Sequence, residues 1–118
     1  MAQLRIADGM LVLALTRFEK AEAVHSDLSA PLAKITKVSI VENATSEIHG
    51  FRVGTGIPGV AKVGSFTTPR TKTFAVVHHD TPRALRFEIQ DANYDQWIVG
   101  LADPDATLVQ LRAAGLPQ

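Results

Sequence analysis

The stretch "FRVGTGIPGVAKVG" (residues 51–64) sets two incompatible folds against each other. Its core, Gly54-Thr55-Gly56-Ile57-Pro58-Gly59, fits the dinucleotide fingerprint G-x-G-x-x-G and follows the strand-like "FRV". That fingerprint works only where a helix starts at the third glycine, because the helix N-terminus supplies the N–H groups that hold pyrophosphate. No helix starts cleanly here. Pro58 precedes Gly59, "VAKVG" is short and β-branched, Gly64 interrupts it, and "TTPRT" brings another proline. Asp80 stands about where a ribose-binding acid would, but in a hairpin turn. Lys62 lacks the neighbours of a phosphate-loop lysine. The glycines therefore read as a structural turn between strands, and no cofactor is expected.

Outward from that turn the chain is rich in strand patterns. Residues 10–16 place Leu11, Leu13 and Leu15 opposite Val12 and Ala14, as in a central strand covered on both sides. "FEKAEAVH" (18–25) favours a short helix or turn. Extended chain resumes at "DLSAPL", continues in "KITKVSIVE" (34–42), and returns in "IHGFRV" (48–53). "KTFAVVHH", the turn "DTPR", "ALRFEI", the turn "QDANYD" and "QWIVGL" then predict three strands in a meander, the first two forming a hairpin. The end of the chain reads differently. Asp103 suits an N-cap, Pro104 the first helical position and Asp105 the positive end of the dipole, while Gly115 and Pro117 stop the helix; Leu108, Leu111 and Gly115 share one stripe.

The totals agree with one small β domain spanning residues 1–118. Hydrophobic residues at 46% and charged residues at 20% describe a globular chain. Twelve basic and twelve acidic residues cancel, which removes the overall field that steers proteins onto nucleic acid, so no nucleic-acid partner is expected. There are no cysteines, hence no disulfide framework, thiolate metal site or cysteine nucleophile; a reducing cytoplasm is the expected location. The longest apolar run, "MLVLAL" (10–15), is too short to span a bilayer and lacks the flanks of a signal peptide, so the mature protein is expected to be the whole chain. The count of about seven short strands plus a terminal helix fits a small, partly open barrel or sandwich plugged by the helix.

The layout "FEKAEAVHSDLSAPLAKITKV", "GFRVGTGIPGVAKVGSF" and "FAVVHHDTPRALRFEIQDANYDQWIVGLADPDATLVQL" resembles the small bacterial pleckstrin-homology-like (PH-like) domain proteins. "GFRVGTGIPG", with Gly64 and Phe66 after it, and the closing "LADPDATL" carry most of that resemblance. It implies a mainly β fold, a PH-like split barrel of about seven antiparallel strands capped by a C-terminal α-helix. In eukaryotic pleckstrin-homology domains, phosphoinositides are held by a basic cluster after the first strand. The corresponding "TRFEKAEA" mixes Arg17 and Lys20 with Glu19 and Glu22, so that site does not carry over.

Positive charge does gather around the glycine turn. Arg52, Lys62, Arg70 and Lys72 flank it, and no acid occurs between Glu47 and Asp80, which makes these four the candidate ligand-binding residues for an anion. Adjacent His78 and His79 point to opposite faces of a strand and do not form a metal site. No G-x-S-x-G elbow or paired-carboxylate spacing marks a catalytic centre; Asp91 and Asp95 belong to a turn, Asp103 and Asp105 to a helix start. Phe51, Phe66, Phe74, Phe87 and Trp97 are expected to face inward and Tyr94 to be exposed. The expected function is thus a non-catalytic interaction module that binds a protein partner or copies of itself through loops and strand edges. The alternative is a receptor for an anion or a lipid headgroup at a membrane surface.

Overall fold

The computed structural model describes residues 3–15, 27–44, 51–53, 61–78 and 82–116, with side chains left out of account at 51–53 and 61–63. The expected helix or turn at 18–25 and the glycine loop at 54–59 lie outside the described residues. The fold is mainly β with one C-terminal helix. Its strands are β1 (Gln3–Ala7), β2 (Met10–Ala14), β3 (Leu28–Pro31), β4 (Ile35–Val41), β5 (Phe51–Val53), β6 (Ala61–Thr67), β7 (Lys72–His78), β8 (Ala84–Ile89) and β9 (Gln96–Gly100); the helix is α1 (Pro104–Ala113).

The strands form a three-stranded sheet in the order β1-β2-β3 and a six-stranded sheet in the order β4-β8-β9-β7-β6-β5. The small sheet begins with a hairpin built on Asp8 and Gly9, both at positive φ (52° and 73°), which pairs Ala7 with Met10. Two left-handed residues in a two-residue loop match the right-handed twist of the flanking strands, the reason Asp-Gly serves such turns well. β2 is central in this sheet, as its pattern foretells, but only its Leu11, Leu13 and Leu15 face is deeply buried; the other is half-exposed.

The large sheet corrects two expectations. The expected meander is absent, because β9 lies between β7 and β8, parallel to β7 (Phe74 opposite Trp97, Val76 opposite Val99) and antiparallel to β8 (Phe87 opposite Trp97). The strands number nine among the described residues rather than about seven, and they are not all antiparallel. The physical reason lies in the side chains. β9 carries Trp97, Ile98 and Val99 in a row, all buried, as a strand covered on both faces requires; β8 alternates Leu85, Phe87 and Ile89 with the half-buried Arg86 and Glu88. Placing β9 at the centre keeps its apolar run from water. The link from β7 to β8 then steps over one intervening strand, about 10 Å, well within the reach of five residues.

One face of this sheet meets the small sheet. Phe74, Val76, Leu85, Phe87, Trp97 and Val99 pack with Leu11, Leu13, Leu15, Leu28 and Ala30, and α1 adds Leu108 and Leu111 with Leu116 beyond it. The other face carries a second buried cluster of Val41, Ala44, Phe66, Ala75, Val77, Ala84 and Ile98.

The helix follows its sequence signals closely. Asp103 accepts a hydrogen bond from the Ala106 N–H (3.1 Å), and Pro104 opens the first turn. At the other end Leu116 N–H donates to Leu111 C=O and Gly115 N–H to Arg112 C=O, a Schellman closure with Gly115 at φ 120° and Leu116 buried. Arg83 joins Glu42, after β4, to Asp105 in the first helical turn (2.8 and 2.9 Å), and hydrogen bonding to Glu42 and then Asp105 raises its pKa above the ordinary guanidinium value. Both pairs are solvent-exposed, so they orient the helix more than they stabilise it.

A Cβ at Gly9 would meet no atom within 4 Å, so substitution there tests backbone conformation alone. Gly9→Ala is expected to destabilise the protein by about 1–2 kcal/mol in urea unfolding, and Gly9→Asn by less, since Asn enters the left-handed region more readily. An alanine variant as stable as the wild type would contradict the left-handed Asp8-Gly9 turn.

Candidate functional site

The turn between β8 and β9, residues 90–95, borders a cleft. Asp91 takes positive φ (52°), which a short polar side chain tolerates. Two contacts pin the turn to Lys34, just before β4: Gln90 N–H donates to Lys34 C=O and the Lys34 ammonium donates to Asp91 C=O; a third, Ile89 N–H to Asp95 C=O, closes the turn on itself, each at 2.9 Å. Asp95 pins the other side to β7 twice. Its N–H donates to Lys72 C=O, and its carboxylate accepts from Lys72 N–H, both at 2.8 Å.

So held, Tyr94 points inward, contrary to the expectation that it is exposed. It is 7% accessible, and its hydroxyl lies 2.7 Å from Ser65 Oγ, which gives a buried phenol the polar partner it requires. Its ring meets Phe74 edge-on (centroids 5.4 Å apart), and the Lys72 ammonium stands 4.9 Å from the ring centroid, within cation–π range. Trp97 lies edge-on to Phe87 (6.4 Å).

Beside these two rings opens a cleft of about 240 Å³ lined by Asp27, Leu28, Ser29, Ala30, Ala92, Asn93, Tyr94 and Trp97. Asp27 helps shape it by accepting the Leu15 N–H at 2.8 Å. Pockets that engulf drug-sized ligands hold roughly 300–1,000 Å³, so this cleft suits a side chain or two of a longer ligand better than a whole dinucleotide. One wall is β3, one of the two edge strands of the small sheet among the described residues. The aromatic floor and polar rim thus lie next to a strand edge.

The four basic candidates are spread along the β5–β6–β7 side of the large sheet. Arg52 pairs through its backbone with Phe66, and Lys62 with Val77, about 17 Å along the ladder from the turn that joins β6 to β7. Arg70 sits exposed in that turn, where Thr68 Oγ1 accepts the N–H groups of Arg70 (3.3 Å) and Thr71 (2.9 Å). Lys72 is exposed at the start of β7, beside Asp95 and against Tyr94. The structure therefore places Lys72 against Tyr94 at the cleft, with Arg70 two positions before it in the turn. Among the described residues, no group of three His, Asp or Glu is disposed to hold a metal ion, and no helix is long and apolar enough to cross a membrane.

No protein-family model, curated protein or solved structure matches this chain. Sequence reasoning missed Asp27, Ser29 and Asn93 because the cleft is assembled from two segments more than 60 positions apart, and none of the three belongs to a motif. A signal for Tyr94 and Trp97 does exist in "NYDQW", where two aromatics flank a turn.

Tyr94→Phe removes the partner of a buried hydroxyl and is expected to cost about 1–3 kcal/mol in urea unfolding. Adding Ser65→Ala to it should cost less than the sum of the two single changes, because the orphaned hydroxyl is then gone. Strict additivity would show that the Ser65–Tyr94 bond contributes nothing.

Proposed function

We propose that this protein is a non-catalytic interaction module that receives an extended segment of a protein partner at the Tyr94–Trp97 cleft. The observation that carries this reading is the cleft's position: an aromatic floor bordered by β3, whose outward peptide groups have no strand beside them among the described residues. An added strand would pair with main chain at Leu28–Ala30, and a side chain from it would enter the cleft, as in strand-addition recognition. Pro31 limits that pairing to a few residues, which suits a reversible contact.

The other edges argue against self-association by sheet joining. β1 carries the exposed Arg5 at its centre, β4 has Lys37 and a register shift between Ile35 and Lys37, and β5 is three residues long. Charge, bulge and shortness are the devices that blunt an edge. Anion or headgroup binding through Arg52, Lys62, Arg70 and Lys72 is the second reading, supported by the exposed Arg70 and weakened by Asp95 beside Lys72.

As for the architecture, we propose a distant PH-like arrangement, supported by the sequence layout and by a β core closed with a C-terminal helix. The parallel β7–β9 pair departs from an all-antiparallel barrel.

Light scattering and affinity capture from lysate test the module, with Asn93→Arg filling the cleft from an exposed position. The wild type is expected to retain a partner that Asn93→Arg loses, with both proteins monomeric alone. Retention by both would overturn the cleft reading. Binding to phosphatidylserine vesicles that survives Asn93→Arg but is abolished in R52E/K62E/R70E/K72E would establish the anion reading instead.

A further inference from the structure

On the face of the large sheet turned away from the small one, Ser39 of β4 stands directly opposite Arg86 of β8. The Ser39 hydroxyl oxygen and the Arg86 Nε are both buried, and neither has a hydrogen-bond partner among the described residues. Buried polar atoms are nearly always satisfied, and an unpaired group attached to a charge is the costlier kind. Lys37, two residues before Ser39 on the same face of β4, is exposed and adds a second positive charge. Among the described residues, Glu88 is the acid beside these groups, opposite Lys37 and two residues from Arg86.

From this we infer that Lys37, Ser39 and Arg86 form a site for a small oxyanion of the phosphate class, independent of the cleft. The chemistry of the donors favours it. A guanidinium offers Nε–H side-on with a terminal N–H, the serine hydroxyl adds a third donor from the facing strand, and the lysine ammonium reaches a further oxygen; a tetrahedral anion accepts from all of them. A planar carboxylate, with two oxygens, satisfies fewer. Ser39 and Arg86 are only partly buried as residues, so a rotamer change of either admits an ion between them. Access is from the flank, because β4 is the outermost strand of its sheet among the described residues.

The test follows the Arg86 Nε–H resonance by NMR while inorganic phosphate is added to the full chain at constant ionic strength, with sodium acetate and sodium chloride as comparison arms. Phosphate is expected to shift that resonance saturably with millimolar affinity, more strongly than acetate, and chloride to leave it unmoved. Ser39→Ala should weaken the response about fivefold through loss of one charge-assisted hydrogen bond, and Glu88→Gln should strengthen it by removing the competing acid. A wild-type resonance that does not saturate with phosphate, or that responds equally to chloride, overturns the proposal. So does a phosphate response unchanged in both Ser39→Ala and Glu88→Gln, substitutions at partly exposed positions that leave the two apolar clusters intact.

Discussion

β9 is buried on both faces and bonded along both edges, and most of the architecture depends on that condition. Its Trp97 and Val99 reach the core shared with the small sheet and α1, while Ile98 reaches the cluster on the opposite face. A strand with three successive large apolar residues has no stable place at a sheet margin. With β9 in the centre, β7 and β8 must flank it. β6 and β5 then extend one side and β4 closes the other. The turn at 90–95 also follows: it ends where β9 begins beside β7, and Asp95 fastens it there through two hydrogen bonds to Lys72. Tyr94 is carried inward by the same fastening, so the cleft is a by-product of how β9 is seated.

How much of this could be read beforehand depended on whether the deciding contacts were local. The helix was legible because Asp103, Pro104 and Gly115 each act within one turn of themselves. The strands from β7 to β9 were legible as strands for a similar reason. Their order was not. Pairing β7 with β8 assumed that sequence neighbours are sheet neighbours, although the contiguous "WIVGL" already marked β9 as the strand needing cover on every side. Asp8-Gly9 carries a local hairpin signal of its own, and it is what joins β1 to β2. β6 was obscured by Gly64, which takes φ 135° within the strand and breaks the β-branched pattern around it. Tyr94 misled because a tyrosine in a polar turn is ordinarily solvated, and its partner Ser65 is 29 positions away.

The candidate residues divide in the same way. Arg52, Lys62, Arg70 and Lys72 drew notice as a run of bases without acids, a property of the linear chain. Folding distributes their backbone positions along three strands and a turn, and brings Asp95 from outside the run to Lys72. The cleft, by contrast, joins the approach to β3 with the turn before β9, and the Ser39–Arg86 pair joins an edge strand to its neighbour. Such juxtapositions are created by strand register and leave no trace in spacing. Composition was informative where it constrained chemistry outright, above all in the absence of cysteine.

The insertion of β9 between two earlier strands also imposes an order on biosynthesis. β7 is complete at His78, yet its inner edge acquires a neighbour only after residue 100 has left the ribosome. Until then the nascent chain displays a row of unpaired peptide groups flanked by Phe74, Ala75, Val76 and Val77, an adhesive margin of the kind that chaperones shield. Sealing that margin falls to β9, which is made after every strand it joins.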